Sequence, residues 1–150
     1  MKIEFYNAEL KPMIEMLMGV KAKGRNSRAV SKFVKLVSAK FETYAKDEQE
    51  LLKEYCLVDD SGELVTTTKE GNTFVSWLSG KQSEAVIAQN ELANEKNVID
   101  LTEYEPHLKH LIVALDESDA FLSGVEAQLY DLLLDKLEDI ENKGGKKYEN

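Results

Sequence analysis

The sequence predicts an α+β fold that is mainly α, with one long central helix packed by shorter helices and a small antiparallel β-meander. Apolar residues recur at helical spacing through most of the chain, whereas 57–77 is rich in turn signals and in β-branched and aromatic residues. With 150 residues, 43% of them hydrophobic, the chain can bury a core without disulfides. We expect a single domain over 1–143 and a flexible tail over 144–150.

The first elements are a short strand and a helix. Ile3 and Phe5 alternate with polar residues, which is the period of a half-buried strand. Asn7 is expected to cap the helix that follows. The segment 21–26 contains Gly24, so we expect a loop there before the next helix.

The dominant element is a helix over 28–56, capped by Ser27. Its seam has apolar residues in a 4-3 spacing that only Glu48 interrupts: Val30, Val34, Val37, Phe41, Tyr44, Glu48, Leu51 and Tyr55. A helix of this length spans roughly 43 Å, close to the diameter of a compact domain of 150 residues. It therefore forms the spine of the domain, or it protrudes and pairs through residues about 41–55 in a homodimer or in a complex with another protein. If Phe41 is fully buried, Phe41→Ala should cost roughly 3–5 kcal/mol.

The rest of the chain alternates turn signals with short periodic segments. The predicted elements are strands at 65–68 and 73–77 joined by a turn at 70–72, a helix over 83–94, a strand at 97–101, a helix over 103–116 capped by Thr102, and a last helix from a Ser123–Glu126 capping box to about 142. The last helix should bury an apolar face that consists of Leu129, Tyr130, Leu133, Leu137 and Ile140.

Charge is divided unevenly along the chain. Residues 21–40 hold seven Lys/Arg and no Asp/Glu, whereas the whole chain holds 19 Lys/Arg and 28 Asp/Glu, a net charge of −9. This pattern favours an interaction surface, and the acidic balance argues against direct nucleic-acid binding. A single cysteine, no apolar leader and no run long enough for a membrane span predict an intracellular protein.

Two helix faces are candidate partner-binding sites. Arg28, Lys32 and Lys35 lie at i, i+4 and i+7 and could bind an acidic partner or a phosphate backbone; a solvated face, partly neutralised by the protein's own acids, is the alternative. The second face is acidic and consists of Asp131, Asp135, Glu138 and Asp139. It could imitate nucleic-acid phosphates, neutralise the basic face within the fold or across a dimer, or simply keep the helix soluble.

No catalytic or cofactor signature stands out. Glu103, His107 and His110 have a spacing that could present metal ligands, but no further histidine exists to complete a site, so we interpret them as surface residues. Cys56 lies beside Leu57 and is interpreted as an inert core thiol. We therefore expect no enzyme, no metal and no cofactor.

A family resemblance is carried by five segments: Ser27-Arg28-Ala29; Lys32-Phe33-Val34-Lys35-Leu36; Glu50-Leu51-Leu52-Lys53-Glu54-Tyr55; Ile99-Asp100-Leu101-Thr102-Glu103-Tyr104-Glu105-Pro106; and Leu122-Ser123-Gly124 with Ala127, Tyr130-Asp131, Leu133 and Leu134. In this order they resemble an uncharacterised family of small acidic proteins encoded by bacteriophages and prophages of Gram-positive bacteria, especially lactic acid bacteria. The stretch from Ile99 to Pro106 is the most specific part. The resemblance implies a viral protein in the host cytoplasm and carries over no catalytic residues.

The function we expect is a non-enzymatic phage accessory protein that acts through protein–protein interaction, with a phage or host protein as partner. One alternative is an inhibitor of a host defence or nucleic-acid enzyme, in which the acidic face competes for a basic groove. A metal-dependent enzyme at Glu103, His107 and His110 is the remaining alternative.

Overall fold

The computed structural model describes residues 1–146 and confirms the mainly α, α+β class. The elements follow in the order β1 (Lys2–Tyr6), α1 (Asn7–Met18), α2 (Gly24–Lys53), β2 (Thr66–Lys69), β3 (Asn72–Val75), α3 (Gln82–Ala93), β4 (Lys96–Asp100), α4 (Glu105–Glu117) and α5 (Val125–Lys146). No helix within these residues is long and apolar enough to cross a membrane.

The chain divides into two compact units, the first formed by Met1–Phe41 with the chain from Lys96 onward, the second by Glu42–Glu95. The single domain over 1–143 stays a prediction, which one cooperative unfolding transition would support. Helix α5 continues through Gly144 to Lys146, and residues 147–150 of the predicted tail lie outside the described residues.

The first unit contains a sheet of two antiparallel strands that are distant in sequence. In the β1–β4 pair Ile3 lies opposite Ile99, and both side chains are buried. Asn7 is buried at the start of α1, where its Oδ1 accepts a hydrogen bond from Asn97 Nδ2 at 2.9 Å. The predicted cap at Asn7 is therefore wrong by one residue: Tyr6 is the cap, and its N–H donates to the Glu9 carboxylate at 2.7 Å.

Helix α5 closes the core of the first unit by packing against β1, α1 and α4. Of the predicted apolar face, Leu129, Leu133 and Leu137 are buried, whereas Tyr130 and Ile140 are half-buried. Tyr130 lies half-buried beside them and donates its hydroxyl hydrogen to the Leu115 carbonyl at 2.6 Å. That bond joins the end of α4 to the start of α5.

The long helix is present, but its boundaries differ from the prediction. It begins at Gly24, whose φ of +56° suits glycine, and the Lys23 carbonyl accepts hydrogen bonds from Asn26 and Ser27. Ser27 therefore lies within the first turn and does not cap the helix. The helix ends at Lys53, and the Tyr55 carbonyl instead accepts a hydrogen bond from the Leu78 N–H at 2.8 Å.

Burial on α2 is confined to its first half. The buried side chains are Ala29, Val30, Phe33 and Val37, and no later residue of the helix is buried. Phe41 is half-exposed, so the condition of full burial on which the predicted cost of Phe41→Ala depended is not met.

The second unit contains the predicted β-meander. Strands β2 and β3 pair antiparallel through a two-residue turn at Glu70 and Gly71, with φ of +53° and +81°. Such a turn matches the twist of a hairpin. Isolated bridges join Cys56 to Trp77 and Val58 to Leu64, which adds a third segment to the meander.

Candidate functional site

The candidate site is a cleft in the first unit between α2 and the chain that leads into α4. Its volume is about 620 Å³. The lining residues come from these two stretches of chain: Lys32, Lys35, Leu36, Asp100, Thr102, Glu103, Tyr104 and His107. We refer to it as the α2 cleft.

Tyr104 holds the far wall of the α2 cleft against α2. Its side chain is buried, its hydroxyl donates to the Ala29 carbonyl at 2.6 Å, and its ring lies 5.7 Å from the ring of Phe33. Burial raises the pKa of the Tyr104 phenol well above its usual range, so the hydroxyl stays protonated as a donor. The spacing between the two walls is therefore fixed by a buried contact.

A local turn positions the start of the far wall. The Asp100 Oδ1 accepts hydrogen bonds from the Thr102 N–H at 2.9 Å and the Thr102 hydroxyl at 2.6 Å. These bonds lower the pKa of the Asp100 carboxyl, with smaller contributions from the terminal amino group and Lys2. The predicted role of Thr102 as a helix cap is wrong, because its side chain bonds back to Asp100 while Tyr104 precedes α4.

His107 lies in the first turn of α4 and faces the cations of α2. Its ring centroid is 5.5 Å from that of Tyr104. Desolvation lowers the pKa of His107, and the positive charges of Lys32, Arg28 and His110 lower it further. These three charges are all positive, so they favour the neutral form of the His107 ring.

The predicted basic face adjoins this cleft, with Arg28 and Lys35 exposed and Lys32 half-buried. Lys32 and Lys35 line the cleft, and Arg28 lies near enough for its charge to act on His107. Within residues 1–146 none of the three takes part in an ion pair, the pairs being Lys53–Glu50, Lys81–Glu84, Lys96–Glu4 and Lys143–Asp139. The alternative of a face neutralised by the protein's own acids has no ion pair to support it in the described part of the chain.

The predicted acidic face lies on α5, and none of its four residues lines the α2 cleft. Asp131, Asp135, Glu138 and Asp139 are all exposed. Asp139 pairs with Lys143 at 3.0 Å, while the other three carboxylates form none of the ion pairs among the described residues. The structure does not bring this face together with Arg28, Lys32 and Lys35 in one cleft.

A second cleft, of about 500 Å³, is lined by residues of both β1 and α5. Asp139 and Thr102 are among the residues that line it. Two of its three lysines are engaged. Lys136 Nζ donates to the Glu4 carbonyl at 2.7 Å and lies 5.4 Å from the centre of the Phe5 ring, and Lys143 pairs with Asp139. The α2 cleft, in contrast, is lined by Lys32 and Lys35, neither of which forms an ion pair within residues 1–146.

The two histidines do not converge on a common point. His107 lies beside Tyr104, whereas His110 Nδ1 is 3.2 Å from Asn26 Oδ1. Within residues 1–146 no group of three or more His, Cys, Asp or Glu side chains is placed to hold a metal ion. Cys56 is buried, and desolvation raises the pKa of its thiol.

Sequence reasoning identified Lys32 and Lys35 but did not connect them with Tyr104 and His107. A signal was present, because Tyr104 lies four residues before Leu108 and seven before Leu111, both of which are buried on α4. That spacing places Tyr104 on the buried face of the helix and His107 at the edge of that face. Only the fold shows that this edge meets α2.

Comparison with known proteins places the chain in a family without a described activity. No curated protein and no solved structure shows significant similarity to it. The family described as "Protein of unknown function (DUF1617)" matches over residues 1–146, which includes both clefts. The chain therefore belongs to the DUF1617 family.

Proposed function

We propose that the protein is a non-enzymatic, phage-encoded accessory protein that binds an acidic protein partner through the α2 cleft and the adjoining basic face. One observation carries the proposal: Arg28, Lys32 and Lys35 form no ion pair within residues 1–146, and the charges of Arg28 and Lys32 act on His107 across the cleft. Cations left unpaired beside a concave surface attract an anionic partner.

Phage origin and action in the host cytoplasm are supported by the resemblance of the five sequence segments, above all Ile99–Pro106. A protein partner is favoured over nucleic acid because the net charge of −9 opposes a polyphosphate chain. A short acidic segment of a protein is repelled less, since it can place one or two carboxylates at the cleft and turn away.

A second candidate function rests on a separate observation. Asp131, Asp135 and Glu138 are exposed on one side of α5 and form no ion pair in the described part of the chain. Such a face could compete with nucleic acid for the basic groove of a host defence enzyme.

Affinity capture from infected and uninfected host cells tests both candidates if charge variants are compared side by side. The basic variant is R28Q/K32Q/K35Q, the acidic variant is D131N/D135N/E138Q, and circular dichroism verifies that each is folded. K11Q/K23Q serves as a control, since Lys11 and Lys23 are exposed cations outside the cleft.

We expect the basic variant to bind its partner at least tenfold more weakly, which is a change of about 1.4 kcal/mol in binding free energy. The control variant should still capture the partner. If only the acidic variant loses its partner, the second candidate function, an inhibitor of a host defence enzyme, would replace the first. Equal capture by all variants would contradict both candidates.

A further inference from the structure

The α2 cleft presents hydrogen-bond donors from two walls. Lys32 and Lys35 are three residues apart on α2, so their ammonium groups extend from the same side of the helix. His107 contributes a ring nitrogen from the opposite wall, which Tyr104 holds in place through its bond to Ala29. Three nitrogen groups thus surround one concave space.

The charged and titratable groups near His107 come from three parts of the first unit. They are Arg28, Lys32 and Lys35 on α2; Asp100, Glu103 and Tyr104 on the chain before α4; and His110 on α4. The Asp100 carboxylate accepts two hydrogen bonds from Thr102 and forms no ion pair with Lys32 or Lys35.

We propose that the α2 cleft binds a side-chain carboxylate of an acidic protein segment, with Lys32, Lys35 and His107 as its hydrogen-bond donors. This inference rests on the proposed function and adds the chemical group that is recognised. A carboxylate matches the site because one negative charge suits two ammonium groups and a histidine at a cleft that also contains Asp100 and Glu103. The same two carboxylates repel the repeated phosphates of a nucleic acid.

Binding of a carboxylate is coupled to protonation of His107. In the free protein the neighbouring cations favour the neutral ring, whereas a bound carboxylate favours the imidazolium. By linkage, the affinity for the carboxylate must rise as the pH falls through the range in which His107 titrates. Lysine contacts alone would give no such dependence near neutral pH.

The test is an NMR titration of the full chain with the peptide acetyl-Glu-Glu-Glu-Glu-amide as the probe. The ring signals of His107 report the site, and those of His110, which does not line the cleft, are followed for comparison. We expect saturable shifts at His107 and a rise in its pKa of about one pH unit in the bound state. The wild-type protein suffices for this measurement, so it does not depend on the folding of a variant.

Matched variants separate the cleft from general charge. K32Q/K35Q should weaken peptide binding about tenfold, and His107→Gln should remove its pH dependence below neutral pH. K11Q/K23Q removes the same charge at exposed positions outside the cleft and should leave binding within twofold. Equal weakening by the two double variants would overturn the inference, because binding would then be unspecific attraction.

Two further results would also overturn the inference. One is peptide binding that leaves the pKa of His107 unchanged; the other is a thymidine tetranucleotide that binds the cleft more tightly than the peptide. Failure of the proposed function is a different result, namely undiminished partner capture by R28Q/K32Q/K35Q. If R28Q/K32Q/K35Q no longer captures the partner but the peptide leaves the His107 signals unchanged, the proposed function is supported and the carboxylate site is refuted.

Discussion

Replacement of Phe33 by alanine is the sharpest test of how α2 is packed. The ring is completely buried and lies 5.7 Å from the ring of Tyr104, centre to centre. Removing a buried phenylalanine costs about 3–5 kcal/mol through lost transfer free energy and the cavity that remains. A domain is held together by only about 5–15 kcal/mol, so Phe33→Ala should remove a large part of the stability.

Phe41→Ala is the matched control on the same helix. Phe41 is half-exposed, and the same truncation there should cost about 1–2 kcal/mol because only part of the ring is removed from water. In a chain of 150 residues each kcal/mol shifts the melting temperature by about 2–4 °C, which predicts a fall of roughly 6–20 °C for Phe33→Ala. Urea titration and thermal melting followed by circular dichroism measure both variants. An equal loss of stability in the two variants, or a larger loss for Phe41→Ala, would contradict the burial of Phe33 and the confinement of burial to the first half of α2.

Three other predictions concern titratable groups. Tyr104→Phe should lower the free energy of unfolding in urea titration by about 1 kcal/mol, because it removes the hydrogen bond to the Ala29 carbonyl. Above pH 10 the wild type should lose stability, because the phenol ionises in the unfolded chain but not when buried, and the variant should lose less. Lys32→Gln should raise the pKa of His107 in an NMR titration, because it removes a neighbouring positive charge. The wild type should lose stability as the pH falls below about 6.5, because His107 binds a proton more readily in the unfolded chain than in the folded one. Cys56 should react with iodoacetamide at pH 8 many times more slowly in the native protein than in urea, since its thiol is buried and its pKa is raised; equal rates would contradict its burial.

Local patterns in the sequence were sufficient for the elements whose interactions lie close together in the chain. The alternation of Ile3 and Phe5 predicted β1, and Glu70-Gly71 predicted the hairpin turn, since both signals act over a few residues. Pairing of β1 with β4 could not be derived in this way, because it joins strands about 90 residues apart. The positive φ of Gly24, which starts α2 earlier than expected, depends likewise on the path of the chain before the helix.

The predicted seam on α2 failed in detail for a geometric reason. A 4-3 spacing marks a narrow seam, whereas a helix that packs on the core of a globular domain buries a wider apolar stripe. The structure buries Phe33, which the seam omits, and leaves Val34 half-exposed. The basic residues were less affected by this error, because they lie on the opposite side of the helix.

The candidate site was half predictable for a related reason. Lys32 and Lys35 were identifiable from local charge, whereas His107 gained significance only from a neighbour on another helix. In the structure, packing explains why Ala29 is small beside the Tyr104 hydroxyl and why Phe33 is large beneath its ring. Packing does not explain Arg28, Lys32 and Lys35 on the other side of the same turns. They are not part of the buried core, and none of them forms an ion pair within residues 1–146. Seven Lys/Arg without a single acid over 21–40 increase mutual repulsion in the free protein, which an anionic partner would relieve. Neither burial nor ion pairing within residues 1–146 therefore accounts for the cations of α2, which is why we propose them as the partner-binding residues.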